Sequence, residues 1–186
     1  MKKLWFVCAS LAVCCLCVAK ASAGASDNKT TATVSTSHAM LPGVLPLFYK
    51  ATAGHLVLKD DKGAQTARIF YIAYEKRGLS AGTRPITFAF NGGPGSSSVW
   101  LHLGALGPKR VALNEDGSPP APPARLITND FSWLSFTDLV FIDPVGTGYS
   151  RPAEEKNDKQ FYDMRADIES VGDFIRLYLT RAQRWS

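Results

Sequence analysis

Beyond residue 17 this 186-residue chain has no cysteine, because all four (Cys8, Cys14, Cys15 and Cys17) stand before that point. Everything that follows is therefore built without disulfides and without thiolate metal sites. Histidine is scarce too, at 3 residues, and no His, Cys or Asp cluster has metal-ligand spacing, so no metal and no other cofactor is implied. The one long apolar run, residues 4–18, is short for a membrane-spanning helix. A strong basic excess is also missing. Lys2, Lys3 and Lys20 account for three of the +5 formal charges, which leaves +2 for the remainder. No basic stripe with interleaved aromatics remains to suggest a nucleic acid partner, and no internal repeat is visible.

What is present at the start is a targeting segment. Lys2-Lys3 is a positive n-region, residues 4–18 are the apolar stretch, and Ala21-Ser22-Ala23 is a small-residue cleavage site. Residues 1–23 read as a signal peptide, so the chain is expected to be exported (periplasmic or secreted) with no membrane segment after cleavage. A lipoprotein is the competing reading of Cys14-Cys15, but Val13 stands where that processing wants a small side chain. Residues 24–41 are rich in Ser, Thr, Ala and Lys without periodicity and are expected to form a flexible leader, with order starting near Pro42.

Residues 55–58 and 66–74 are strand-like on either side of the polar turn Lys59-Asp60-Asp61-Lys62-Gly63, the pattern of a β-hairpin. A third strand is expected over 85–90, a helix over about 97–106 ended by Gly107-Pro108, and a proline-rich surface loop over 114–124. Asp138-Leu139-Val140-Phe141-Ile142-Asp143 is the clearest strand. Residues 156–184 follow as an amphipathic helix with Met164, Ile168, Val171, Ile175, Tyr178 and Leu179 on one face. A hairpin followed by strand, helix, strand and helix implies an α/β sheet that turns parallel after its first strands. The strand such a crossover leads into would begin near Ser186, which points to a fragment truncated before that strand.

The stretch that carries chemistry is Asn91-Gly92-Gly93-Pro94-Gly95-Ser96-Ser97-Ser98. A strand feeds it and a helix start follows, so main-chain N–H groups converge where an anion could sit. The missing side chains at Gly92, Gly93 and Gly95 allow close approach to the backbone, and Pro94 restricts Gly93 to extended conformations. Alone, the stretch is equally well an unoccupied strand-to-helix turn.

Three further blocks follow it in order: Leu106-Gly107-Pro108, Asn129-Asp130-Phe131-Ser132-Trp133, and Phe141-Ile142-Asp143-Pro144-Val145-Gly146-Thr147-Gly148-Tyr149-Ser150. Together the four blocks resemble the N-terminal part of the serine carboxypeptidase family, and the resemblance runs from about His55 to Ser186. It implies an α/β-hydrolase fold for residues 42–186 and a peptide substrate with a free C-terminus. It also implies that Asn91 and Gly92 bind that terminal carboxylate, while the Gly93 N–H serves the oxyanion hole. One well-aimed donor there is worth roughly 3 kcal/mol in the transition state. Ala89 stands where the family usually has tryptophan, Ala105 where it commonly has a glutamate of the carboxylate network, and Ser96 where a cysteine is frequent. These departures look more like a bacterial-type branch.

The triad of an α/β-hydrolase follows the order Ser, Asp, His, with the serine in a Gly-x-Ser-x-Gly elbow after a strand. Gly95-Ser96-Ser97-Ser98 lacks the closing glycine, and its serines read as a helix cap and first turn. No elbow is expected within this chain, and the resemblance implies that it lies just beyond Ser186. Of the possible bases, His102 is expected to be packed or surface-facing, and His55 and His38 to be structural. Asp143 is expected to brace a loop. Gly146 and Gly148 have the look of a phosphate loop, but no Walker lysine follows, so they read as a turn. The chain thus reads as a serine-type carboxypeptidase fragment, inactive alone. The alternatives are a related esterase or aminopeptidase and a non-catalytic exported binding module. Oligomeric state has no signature in the sequence.

Overall fold

Two cores on opposite faces of one sheet explain why the strands alternate as they do. The computed structural model describes residues 33–41, 46–78, 81–91, 95–154 and 159–185, so residues 1–23, the expected signal peptide, lie outside the described residues. Strands β2 (Leu47–Lys59) and β3 (Gln65–Lys76) form the expected hairpin. The Asp60 carboxylate closes its turn by accepting from the Lys62 and Ala64 N–H groups. β2 is longer than its alternation suggested, because its buried positions change parity near Ala51. Leu47 and Tyr49 enter one core, while Thr52, Leu56 and Leu58 point to the other side.

The leader expected over 24–41 is corrected from residue 34 onward, where β1 (Val34–Met40) pairs antiparallel with β2 from Val34↔Ala53 to Met40↔Leu47. Six of its seven residues are exposed and only Met40 is buried. The backbone ladder holds this edge strand, so its side chains needed no periodicity.

β3 pairs antiparallel with β7 (Asp138–Ile142), and β7 pairs parallel with β4 (Ile86–Ala89). The sheet order is β1-β2-β3-β7-β4, with β8 (Arg151–Pro152) on β3. All five residues of β7 are buried, as befits a strand covered on both faces. The mixed sheet is consistent with an α/β-hydrolase-type fold. A separate antiparallel pair, β5 (Lys109–Val111) and β6 (Leu126–Thr128), spans the base of the proline-rich loop.

One face of the sheet is covered by α2 (Met164–Ala182), through Val171, Phe174 and Tyr178 against Ile69, Tyr71 and Ile142. Asp163 caps its start by accepting from Arg165 and Ala166 N–H, and Gln183 ends it in a left-handed conformation at φ 53°. Two positions of the expected apolar face, Met164 and Ile168, are instead 81% and 64% exposed. Periodicity tells which side of a helix is apolar, but not how far the sheet beneath it extends. Among the described residues no helix is long and apolar enough to cross a membrane.

The end of α2 is fastened to the sheet by a buried ion cluster. Asp138 accepts from Arg84 Nε at 3.0 Å, Arg184 Nη1 at 2.9 Å and the Lys76 N–H at 3.1 Å. Arg184 Nη2 also donates to the Arg84 carbonyl at 2.7 Å. The start of β4, the start of β7 and the end of α2 therefore meet at one carboxylate.

The other face carries a single helical turn, α1 (Val99–Leu101), that widens at once into a π-helical turn over His102–Leu106. Leu101 and Leu106 pack there against the core of Leu134, Leu139 and Phe141.

Candidate functional site

The first and fourth sequence blocks are joined through one buried carboxylate at the end of β7. Asp143 Oδ1 accepts from both the N–H and the hydroxyl of Ser98, at 2.9 and 3.0 Å, and Oδ2 accepts from the Tyr149 N–H at 3.3 Å. The Asp143 carbonyl accepts from the Ser150 hydroxyl at 2.6 Å, and that hydroxyl accepts from the Phe70 N–H at 2.7 Å. Gly148, at φ +46°, is required by this packing, since a β-carbon there would overlap the Asp143 carboxylate. The loop after β7 and the turn after β4 are thus one hydrogen-bonded unit, with Asp143 in the bracing position expected of it.

The second and third blocks are locked in the same manner. Asn129, 1% exposed, donates from Nδ2 to the Ala105 and Gly107 carbonyls at 2.7 and 2.8 Å. The Ser132 hydroxyl donates to the Leu106 carbonyl at 2.9 Å. These side chains take the carbonyls that a helix end leaves without partners. The Gly107 N–H bonds to the His102 carbonyl at 3.0 Å, and a β-carbon on Gly107 would strike that same oxygen. The Leu-Gly-Pro block is therefore a packing device for the π turn. A one-turn α segment also supplies only a small dipole for the preceding loop, less than the helix start expected from the sequence.

Of the predicted site residues, Gly92 and Gly93 lie outside the described residues, as does Pro94. Asn91 is half-buried at the end of β4. Its Nδ2 donates to the Ser96 hydroxyl at 3.2 Å, and its Oδ1 is buried with no hydrogen-bond partner among the described residues. An orphaned buried acceptor is uncommon. Nδ2 carries two N–H groups, and Ser96 takes one of them. Ala105, at the position of the family glutamate, is exposed on the π turn.

No serine, histidine and acid come together as a triad among the described residues. His102 is buried, bonded through Nε2 to the Tyr74 hydroxyl at 2.7 Å, with its ring tilted by 34° against that of Phe141 at 4.7 Å. Burial lowers its pKa to about 4, against the opposing pull of the Asp143 charge, so it is neutral at neutral pH. Burial likewise raises Tyr74. His55 Nε2 meets the Tyr149 carbonyl at 3.3 Å, and His38 stacks on Tyr49. None of the three imidazole rings is hydrogen-bonded to a serine among the described residues.

Contrary to the expectation from the sequence, the chain does hold one elbow-like string. The string Gly-x-Ser-x-Gly does occur, at Gly78-Leu79-Ser80-Ala81-Gly82. It follows antiparallel β3 and leads into the short 3-10 turn Ala81–Thr83, next to Arg84 at the start of β4. Asn91 lies past the other end of that strand, roughly 20 Å away at about 3.3 Å per residue. Leu79 and Ser80 are outside the described residues. The string lacks both features of an elbow, a parallel strand feeding it and a long helix after it.

Between β3 and α1 a cavity of about 570 Å³ opens beside the braced turn. Its walls are Phe70 and Ile72 from β3, Val99 and Leu103 from α1 and the π turn, and Tyr149 from the loop after β7; Ser97 and Ser98 complete its rim. Neighbouring residues in sequence did not reveal this grouping, because the strand residues stand far from the blocks in the chain.

The serine carboxypeptidase family profile matches residues 42–184. The pheromone-processing carboxypeptidase KEX1 of Saccharomyces cerevisiae is 35% identical over 139 residues, covering 68% of this chain and 18% of the yeast protein. The KEX1 protein of Coprinopsis cinerea is 28% identical over 163 residues, covering 82% of this chain and 25% of its own. A serine carboxypeptidase-like protein of Oryza sativa is 33% identical over 97 residues, 50% of this chain and 20% of the rice protein. The chain spans about a fifth of the length of these relatives.

Proposed function

Because the chain belongs to the serine carboxypeptidase family, we propose that it is the N-terminal, oxyanion-and-recognition part of an exported peptidase that releases C-terminal residues through an acyl-enzyme. In this reading the Gly93 N–H stabilises the tetrahedral oxyanion, and Asn91 with Gly92 holds the substrate carboxylate. The observation that carries it is the state of Asn91. Its Nδ2 donates to the Ser96 hydroxyl, its buried Oδ1 has no hydrogen-bond partner among the described residues, and Asp143 holds Ser98 through two bonds. Preorganised donors of this kind cost no rearrangement when charge develops.

The nucleophile and its base are supplied by chain beyond these residues, so the 186-residue product is inactive alone. A fluorophosphonate probe is expected to leave it unlabelled and to label a longer gene product containing the elbow. Rapid stoichiometric labelling of the 186-residue chain would overturn this. The prediction also covers Ser80, the one serine in a Gly-x-Ser-x-Gly string.

A second reading, an esterase or aminopeptidase of the same fold, is favoured by Ala105, which removes a carboxylate-recognition group. Peptides with free and amidated C-termini, offered to the longer protein, separate the two. A carboxypeptidase cleaves only the free form. The relatives named above are fungal and plant proteins, which lends no support to a bacterial-type branch.

A further inference from the structure

We propose that the cavity between the last turn of α2 and strands β1, β2 and β3 binds a small organic monocarboxylate, with the charge on Arg181 and the carbon frame against Leu56 and Tyr178. The proposal stands independently of the peptidase reading above.

The cavity lies on the α2 face of the sheet, across β3 from Phe70 and Ile72. Strand register gathers its polar groups there in pairs. Lys50 stands opposite Glu75, and Ser35 opposite Thr52. The Lys50 ammonium is 3.6 Å from the Glu75 carboxylate, and the Ser35 and Thr52 hydroxyls are bonded at 2.9 Å. The Thr33 hydroxyl reaches the wall because Gly54, opposite Tyr71, has no side chain; a β-carbon there would stand 2.8 Å from it. At about 250 Å³ the space falls just below pockets that hold drug-sized ligands, which start near about 300 Å³, so its occupant is small.

The charges decide what fits. Lys50 and Arg181 bring two positive charges to the lining and Glu75 one negative, which leaves a net charge of one. Glu75 is matched by Lys50, while Arg181 has no ion-pair partner among the described residues. A guanidinium takes a carboxylate in two parallel N–H···O bonds. Burial raises the pKa of Tyr71, so its hydroxyl stays protonated at neutral pH and can donate to the same anion. The carbonyls at the end of α2, which would repel an anion, are partly occupied: those of Leu179 and Thr180 accept from the Gln183 and Arg184 N–H groups. A cation would face Arg181 and Lys50, and the second charge of a phosphate would face Glu75 unbalanced. Leu56, 2% exposed, and the Tyr178 ring favour carbon over water on the remaining side.

The test is an NMR titration of the 186-residue chain with sodium benzoate, benzamide and sodium phosphate, at an ionic strength held constant with sodium chloride. Benzoate is expected to shift Thr52, Tyr71 and Arg181, to raise the Tm, and to bind about tenfold or more tighter than benzamide or phosphate. Arg181→Gln should abolish the advantage of benzoate over benzamide, and Arg181→Lys, which keeps the charge without the fork, should retain part of it. Glu75→Gln removes the opposing charge and frees Lys50, so it should tighten benzoate binding. Circular dichroism checks the fold of each variant, and the opposite signs at positions 181 and 75 separate a built site from general loss of structure. Benzoate and benzamide binding alike, phosphate binding as tightly as benzoate, benzoate binding untouched by Arg181→Gln, or weakened binding in Glu75→Gln would each overturn the proposal.

Discussion

Replacing Asp143 with alanine should uncouple the two blocks that form the candidate site and cost about 4 kcal/mol of stability. The carboxylate receives the backbone N–H groups of Ser98 and Tyr149 and the Ser98 hydroxyl. Residues 98 and 143 are 5% and 7% exposed, so water does not readily replace the lost acceptor. The buried Ser98 N–H left without a partner costs about 1–3 kcal/mol, and the Tyr149 N–H, on an exposed residue, about 1 kcal/mol. The hydroxyl can rotate toward another acceptor, so its loss adds about 1 kcal/mol at most. Against the 5–15 kcal/mol typical of a whole domain, roughly 4 kcal/mol is a severe loss.

The assay is urea unfolding of the wild type, Asp143→Ala, Ser98→Ala and the double variant, with amide exchange at Ser98 and Tyr149 as the local readout. Ser98→Ala removes only the hydroxyl bond and should cost about 1 kcal/mol. The double variant should cost less than the sum of the two, because they share that bond. An Asp143→Ala cost below about 1 kcal/mol, or unchanged exchange at Ser98, would refute the view that this carboxylate holds the turn in place.

Three further outcomes follow from the same packing. Arg184→Met should destabilise by about 3–5 kcal/mol in thermal or urea unfolding, since it strips one partner from a buried ion cluster that is 5% exposed on both sides. His102 sets a pH dependence. Its folded pKa of about 4 lies below the ordinary 6.5, so the unfolded chain binds the proton more readily. Stability is then full above pH 6.5 and falls as pH drops toward 4, by about 3 kcal/mol at most. His102→Phe should flatten that slope in unfolding curves taken between pH 4 and 7. Gly107→Ala should cost about 2 kcal/mol or more, read as a lowered Tm, because its methyl group strikes the His102 carbonyl that closes the π turn.

The chain's own order of residues determined the hairpin, the buried strand at 138–142, the loop of prolines and the side of α2 that packs. Each follows from local chemistry: alternation, an apolar run, missing N–H groups, helical spacing. The blocks around Asn91, Gly107, Asn129 and Asp143 were also legible, as strings. The sequence contains no statement that these strings hold one another, since a side-chain bond from Asp143 to Ser98 spans residues far apart in the chain. Only the tertiary structure decided that. It also decided that residues 34–40 form a strand, because pairing rests on the neighbouring backbone and not on side-chain pattern. Met164 and Ile168 ended up in solvent for a similar reason: a helix's periodicity contains no measure of its partner's extent. The Gly-x-Ser-x-Gly string at 78–82 fails as an elbow on topology alone, since the same five residues would serve only on a parallel strand leading to a long helix. The cavity beside Asp143 is the last such case. It is the space left where a short helix meets a longer strand, and no single stretch of sequence contains both.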